Sequence, residues 1–279
     1  MNIKITADST CDLPQHLVEA YDIHLTPLYV VLGEQGYADR LEMTPAQMFE
    51  YMLDSKNTCY TSAVNVSEYQ QAFSKYQHYE AIIHISLSGR ISGSHGNALK
   101  AAEDFPNVYV VDSANVCGGS ALMVERAVQM VAEGLGVQEI VDSLQKLAPK
   151  IEGGVILNTL EYLKRGGRCS SILEFGASLL QLKLVVEVKD GRIKPSKKYR
   201  GSFTNCAKKY MAERLCDLQN VVDKVVYVAA TACPPELLAQ ARTLLEQTGY
   251  FKRIVEIEGG CVISCHSGPC AFGLFYELK

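Results

Sequence analysis

Three groups of residues in this chain have types and spacings suited to chemistry. The first is Ser88, Gly89, Arg90, Ile91, Ser92 and Gly93. It lies between an apolar run (Ile82, Ile83, Ile85, Leu87) and the helically spaced Ala98, Leu99, Ala101 and Ala102. A strand, a short Gly/Ser loop and a helix start leave the first helical amides without partners, with the positive end of the helix dipole behind them. Such a place holds an anion: phosphate, sulfate or carboxylate. Ser92 either caps the helix or turns its hydroxyl toward a ligand. The second group, Asp8 to Asp12, puts two carboxylates and two hydroxyls at the carboxyl end of a strand. Ligands gather there in open α/β sheets, and the same residue types serve equally as caps and turns. The third is Cys261, Cys265, His266 and Cys270. Its spacing is not that of paired CxxC ligands, and no second cluster supports zinc, so no metal is expected. Thr61 and Ser62 add two hydroxyls in what reads as a short loop between helices.

The elements that must position these groups follow from periodicity. Residues 3–7 and 23–32 read as strands, followed by helices opened by capping boxes at Thr44 to Gln47 and at Ser67 to Gln70. Asp12 reads as a helix N-cap, with Pro14 in the first turn. Val108 to Val111 is a buried strand. Gly118 and Gly119 precede a helix, and Ile140, Val141, Leu144 and Leu147 mark the apolar face of the next. Strands alternating with helices over about 150 residues imply a mainly parallel sheet with helices on both faces. The second half reads differently. Two strands flank Asp190-Gly191, a strong hairpin signal, and helices are expected over 171–182, 202–218 and 235–247. The expected architecture is therefore α/β with two domains. An N-terminal α/β domain covers 1–150, and a C-terminal α+β domain with a hairpin covers 151–279.

Composition narrows the function. The chain has 279 residues, of which 48% are hydrophobic and 21% charged, with a formal net charge of -4. A nucleic-acid partner usually demands a basic excess, so none is expected. No apolar run approaches the roughly 20 residues that span a bilayer, so stable membrane insertion is not expected. The first residues run straight into a strand without a signal-peptide core, and the scattered cysteines suit buried thiols in a reducing, cytoplasmic setting. There is neither a P-loop nor a full Gly-x-Gly-x-x-Gly fingerprint, and no cofactor is expected.

Six segments in order resemble the DegV family of fatty-acid-binding proteins, which serve as the B subunit of bacterial fatty acid kinase. They are Ala7 to Leu13, Thr61-Ser62, Ile91 to Ser94 before Ala98, Val111 to Ser113, Leu160 to Arg168, and His266 to Pro269. The resemblance implies a long-chain fatty acid buried in a tunnel. Its carboxylate would be held by Thr61 and Ser92, with Ser62 and Gly93 beside them and His266 near the same head group. It also implies a separate ATP-using kinase that phosphorylates the bound carboxylate, so that this chain presents substrate and does no chemistry itself. Arg168 and Arg200 match recurring family arginines and are candidate docking residues for that partner. The chain departs from the family pattern at Ala63-Val64-Asn65, His95-Gly96-Asn97 and Cys270. The rival reading is a hydrolase or acyltransferase with Ser92 as nucleophile and His266 as base. Ser92 lacks the Gly-x-Ser-x-Gly elbow that would support it.

Overall fold

The computed structural model describes residues 2–54, 56–169 and 182–279. Strand β1 (Ile3–Asp8) leads through a short turn to helix α1 (Gln15–Ala20). Then come β2 (His24–Thr26), β3 (Tyr29–Leu32), β4 (Gln35–Ala38), α2 (Pro45–Tyr51), β5 (Cys59–Ser62), α3 (Val66–Ser74), β6 (Ala81–Ser86) and α4 (Ser94–Ala102). The next elements are β7 (Val108–Asp112), α5 (Gly118–Ala132), α6 (Val137–Leu147), β8 (Ile151–Leu157) and α7 (Glu161–Gly166). The chain continues with β9 (Leu182–Lys189), β10 (Arg192–Arg200), α8 (Phe203–Leu215), β11 (Val225–Thr231), α9 (Pro235–Thr248), β12 (Arg253–Glu258), α10 (Cys261–Ser267) and β13 (Ala271–Glu277).

Three sheets result. The first is fully parallel, in the order β2-β1-β6-β7. Every residue of β1 and β6 is buried, as expected for strands covered on both faces. Ile3, Ile5, Ile83 and Ile85 pack with α5 and α6 on one face. Ile82, Val108 and Val110 pack with Tyr69, Phe73, Ala98 and Ala101 of α3 and α4 on the other. A small antiparallel sheet, β4-β3-β5, stands beside α10. The third sheet is mixed, in the order β10-β9-β8-β13-β11-β12, and all its strands come from residue 151 onward. One of its faces, with Ile156, Val226, Phe272 and Leu274, packs under α8 and α9. The opposite face meets α5, so that Tyr227 and Phe275 belong to the same core cluster as Ile3 and Ile85.

The fold agrees with the expected class, and several local readings are corrected. The apolar run 23–32 is two strands in two different sheets, because Pro27 and Leu28 turn the chain between them. Thr61 and Ser62 do not sit in a loop. They end β5, an edge strand whose Thr61 pairs with Val30. The second capping box is Asn65 with Glu68, two residues earlier than expected, while the Thr44–Gln47 box forms as read. Asp12 is not an N-cap. It adopts a left-handed conformation and points its carboxylate at Gly260. Gly118 and Gly119 are the first residues of α5 rather than a lead-in. The hairpin forms at Asp190 and Gly191, both with positive φ (53° and 72°), as a two-residue turn between twisted strands requires. The helix expected over 171–182 lies outside the described residues except for Leu182, which opens β9.

Candidate functional site

The loop after β6 and the start of α4 are held by hydroxyls. Ser88 Oγ accepts from the Arg90 amide and donates to the Gly191 carbonyl at 2.7 Å, fastening the hairpin turn onto this loop. Ser92 Oγ accepts from the Ser94 amide and donates to Ser94 Oγ, both at 3.1 Å. Ser92 thus steadies the first turn of α4 from one residue outside the Gly93 cap position. Ser94 is fully buried beside Tyr69, whose hydroxyl donates to Asp8 Oδ1 at 2.6 Å. The other oxygen of Asp8 accepts from the Leu87 amide. Asp8 therefore braces the loop from within and does not face a ligand. Asn97 of α4 donates to the Val64 carbonyl at 2.7 Å, which ties this loop to the segment just after Thr61 and Ser62.

From the far end of the chain, α10 brings His266 to the same place. Its Nε2 is 2.9 Å from Thr61 Oγ1. Gly166, the last residue of α7, makes room for the ring: a Cβ there would lie 2.0 Å from His266 Nδ1. That Nδ1 is buried without a hydrogen-bond partner. Burial, with the Arg168 guanidinium nearby, pushes the imidazole down to about 4, so it is neutral near pH 7. Arg168 itself is exposed and donates to the Gly166 carbonyl.

Two buried aspartates hold the start of α10. Asp12 Oδ1 accepts from the Gly260 amide at 2.8 Å, and Asp39 Oδ1 accepts from the Val262 amide. Burial raises both carboxyls, Asp12 to about 7, against the opposing pull of Arg40. Sequence reading missed this clasp. Asp12 and Gly260, like Asp39 and Val262, are more than 200 positions apart, and nothing local marks them as partners. The cysteine group separates. Cys265 Sγ lies 2.9 Å from Cys59 Sγ, whereas Cys261 turns to the Met43 carbonyl and Cys270 to that of Ala232. Among the described residues no group of His, Cys, Asp and Glu side chains is arranged to hold a metal.

Thr61, Ser62, Ser92, Gly93, His266 and Arg168 all line one cavity. Arg200 is not among its lining residues and is exposed at the end of β10. The cavity holds about 1140 Å³ of atom-free space, its open mouth included. Most of the remaining wall is apolar, with Leu28, Leu87, Val155, Val186, Ile193 and Phe275 contributing, and Glu187 and Thr231 also border it. Polar donors at one end and an apolar interior suit an amphiphile with an acidic head. No helix of the described residues is long and apolar enough to cross a membrane.

Comparison with known proteins gives concordant results. The family model described as uncharacterised protein, DegV family, matches residues 2–279. A fatty acid-binding protein of Thermotoga maritima is 30% identical over 289 residues, covering 100% of this chain and 98% of its own. A solved structure described as fatty acid binding of a DegV family protein from Thermus thermophilus superposes with a TM-score of 0.90. It is 28% identical and covers 100% of both chains. The fatty acid kinase B3 protein of Streptococcus pneumoniae, solved loaded with linoleic acid, shares the fold (TM-score 0.84, 22% identity, 100% of both chains).

Proposed function

Since the chain belongs to the DegV family, we propose that it binds one long-chain fatty acid in the cavity beside Thr61 and His266. The carboxylate rests on the hydroxyls of Thr61, Ser62 and Ser92 and the amide of Gly93, with His266 alongside, and the tail lies against the apolar wall. The observation that carries this reading is the single cavity that joins those hydroxyls to an apolar interior. Its energetics are sound. About 15 methylenes at about 0.8 kcal/mol each give on the order of 12 kcal/mol before the costs of association. The tail supplies affinity, and the head group supplies orientation. A buried carboxylate without donors is penalised by several kcal/mol, and charge-assisted hydrogen bonds offset that cost. A neutral histidine and hydroxyls keep the carboxylate accessible, where a tight guanidinium pair would cover it.

The reading extends to a cytoplasmic role as a non-catalytic subunit. A separate ATP-dependent kinase phosphorylates the presented carboxylate, and the exposed Arg168 and Arg200 are the candidate contacts for it. The family resemblance supports this step, together with the name of the pneumococcal fold neighbour. The hydrolase alternative is less well supported. His266 Nε2 faces Thr61, and the Ser92 hydroxyl is engaged with Ser94, so no nucleophile–base pair joins Ser92 to His266.

Solvent extraction of the purified protein followed by mass spectrometry tests the ligand. A stoichiometric fatty acid is expected, and the reading is abandoned if none co-purifies and the extracted protein binds none on addition. Acyl-ester turnover lost in Ser92→Ala would favour the hydrolase instead.

A further inference from the structure

The inner face of the six-stranded sheet forms one wall of the cavity, and strand register orders that wall into rows. Thr231 pairs with Ala271, Ala229 with Gly273, and Gly153 with Phe275. The first row is at the head-group end, because Thr231 Oγ1 donates at 2.6 Å to the carbonyl of Gly268, which follows α10 directly. The middle row is shallow, floored by Ala229 and by Val155 leaning over Gly273. Four residues beyond Ala271 along β13, about 13 Å at strand spacing, stands Phe275. The trough therefore runs from small side chains to one large ring.

That ring is held from both sides. A Cβ on Gly153 would lie 2.1 Å from its Cδ1, and a Cβ on Gly118 would lie 2.6 Å from its Cδ2. Two glycines, one in β8 and one opening α5, thus let the phenyl bridge from sheet to helix. Phe275 is 2% exposed and belongs to the main core cluster, so solid protein lies behind it. Beside it the surroundings turn polar. Gly153 and Val188 also border a second groove, lined by Asp112, Glu152 and Asp190.

We propose that Phe275 is the end wall of the acyl site and sets the tail length the protein accepts. The inference rests on the fatty-acid reading above. A tail lying over Ala229 and Val155 meets the phenyl edge-on, and every further methylene must displace the ring, bend away, or draw the head group out from Thr61.

The test is a binding series of saturated acids from dodecanoic to eicosanoic on delipidated protein. Phe275→Leu opens the end of the trough and keeps an apolar side chain. It is expected to move the preferred acid longer by about two methylenes, leaving affinity for the shortest binders within about twofold. Phe275→Met, closer in volume, gives the same readout if the leucine variant does not fold. Ala229→Val narrows the middle of the trough and is expected to weaken all lengths together without changing their order. An unchanged length order in a folded Phe275 variant, with wild-type binding intact, overturns the end wall alone. Wild-type protein that binds no acid overturns the ligand reading, and the end wall with it.

Discussion

Thr61 Oγ1 and His266 Nε2, 205 positions apart in the chain, stand 2.9 Å from each other. An edge strand and a short helix thus meet through a single proton, in the wall of a largely apolar cavity. Thr61→Val keeps the β-branched shape that suits β5 and removes the hydroxyl. A hydrogen bond to a charged group is worth about 1.5–3 kcal/mol, so affinity for a fatty acid should fall about ten- to hundredfold with little change in melting temperature. Titration calorimetry measures it, and equal affinities would remove Thr61 from the head-group site.

His266 carries a pH signature. Its folded value of about 4 lies below the ordinary 6.5 through burial and Arg168. As pH falls from 6.5 toward 4 the unfolded chain takes up this proton before the folded one. The stability contribution is therefore full above 6.5 and lost on acidification through that window. A carboxylate bound beside the ring favours the protonated form and raises the folded value. Proton NMR of the imidazole should give a midpoint near 4 in the empty protein and a higher one when loaded. A midpoint that fatty acid leaves unmoved counts against the contact.

Gly166→Ala probes the same ring from behind. Its backbone does not have positive φ, and alanine favours a helix, so α7 should persist. The added Cβ must push His266 away from its place beside Thr61. Binding is expected to weaken about as much as in His266→Ala, on the order of tenfold, the scale of one lost polar contact. Wild-type affinity in a folded Gly166→Ala protein would show that the ring position is immaterial.

Cys59 and Cys265 make a chemical prediction. Their sulfurs are 2.9 Å apart, one beside each half of the Thr61–His266 contact. The Cys59 thiol is raised by its hydrogen bond with Cys265 and by burial, so the reactive thiolate is scarce at neutral pH. Treatment with a small-molecule disulfide should slowly join the two, faster as pH rises. The protein loses two hydrogens while the reagent is reduced to two thiols. Peptide mapping should find a 59–265 cross-link and a higher melting temperature. Modification of other cysteines with this pair untouched would refute it.

Much of the positioning was legible in the chain because it is local. The Gly/Ser loop before α4, the Thr44–Gln47 box and the Asp190-Gly191 turn are each set by a few neighbouring residues, and each formed where periodicity and turn chemistry placed it. Thr61 reads as loop in the sequence because β5 has four residues and only the pairing of its edge with β3 makes it a strand. The aspartate clasp on α10 and the glycines around Phe275 were illegible for the same reason. Their partners are brought together by sheet order and register, which no local window contains. His266 stands out in the sequence within the cysteine group, and only the resemblance gives it a head-group role. The glycine that seats its ring, 100 positions earlier, gave no sign of that role.

The placement of β13 bears on when such a site comes into being. It follows every other described strand in the chain, yet it lies between β8 and β11 in the middle of its sheet. A nascent polypeptide emerging from the ribosome can assemble the parallel sheet early. It cannot close the compartment until translation has passed residue 277, because the His266 helix and the Phe275 strand follow all the other described elements. A product that stops before β13 therefore lacks both the Phe275 wall and a central strand of its sheet.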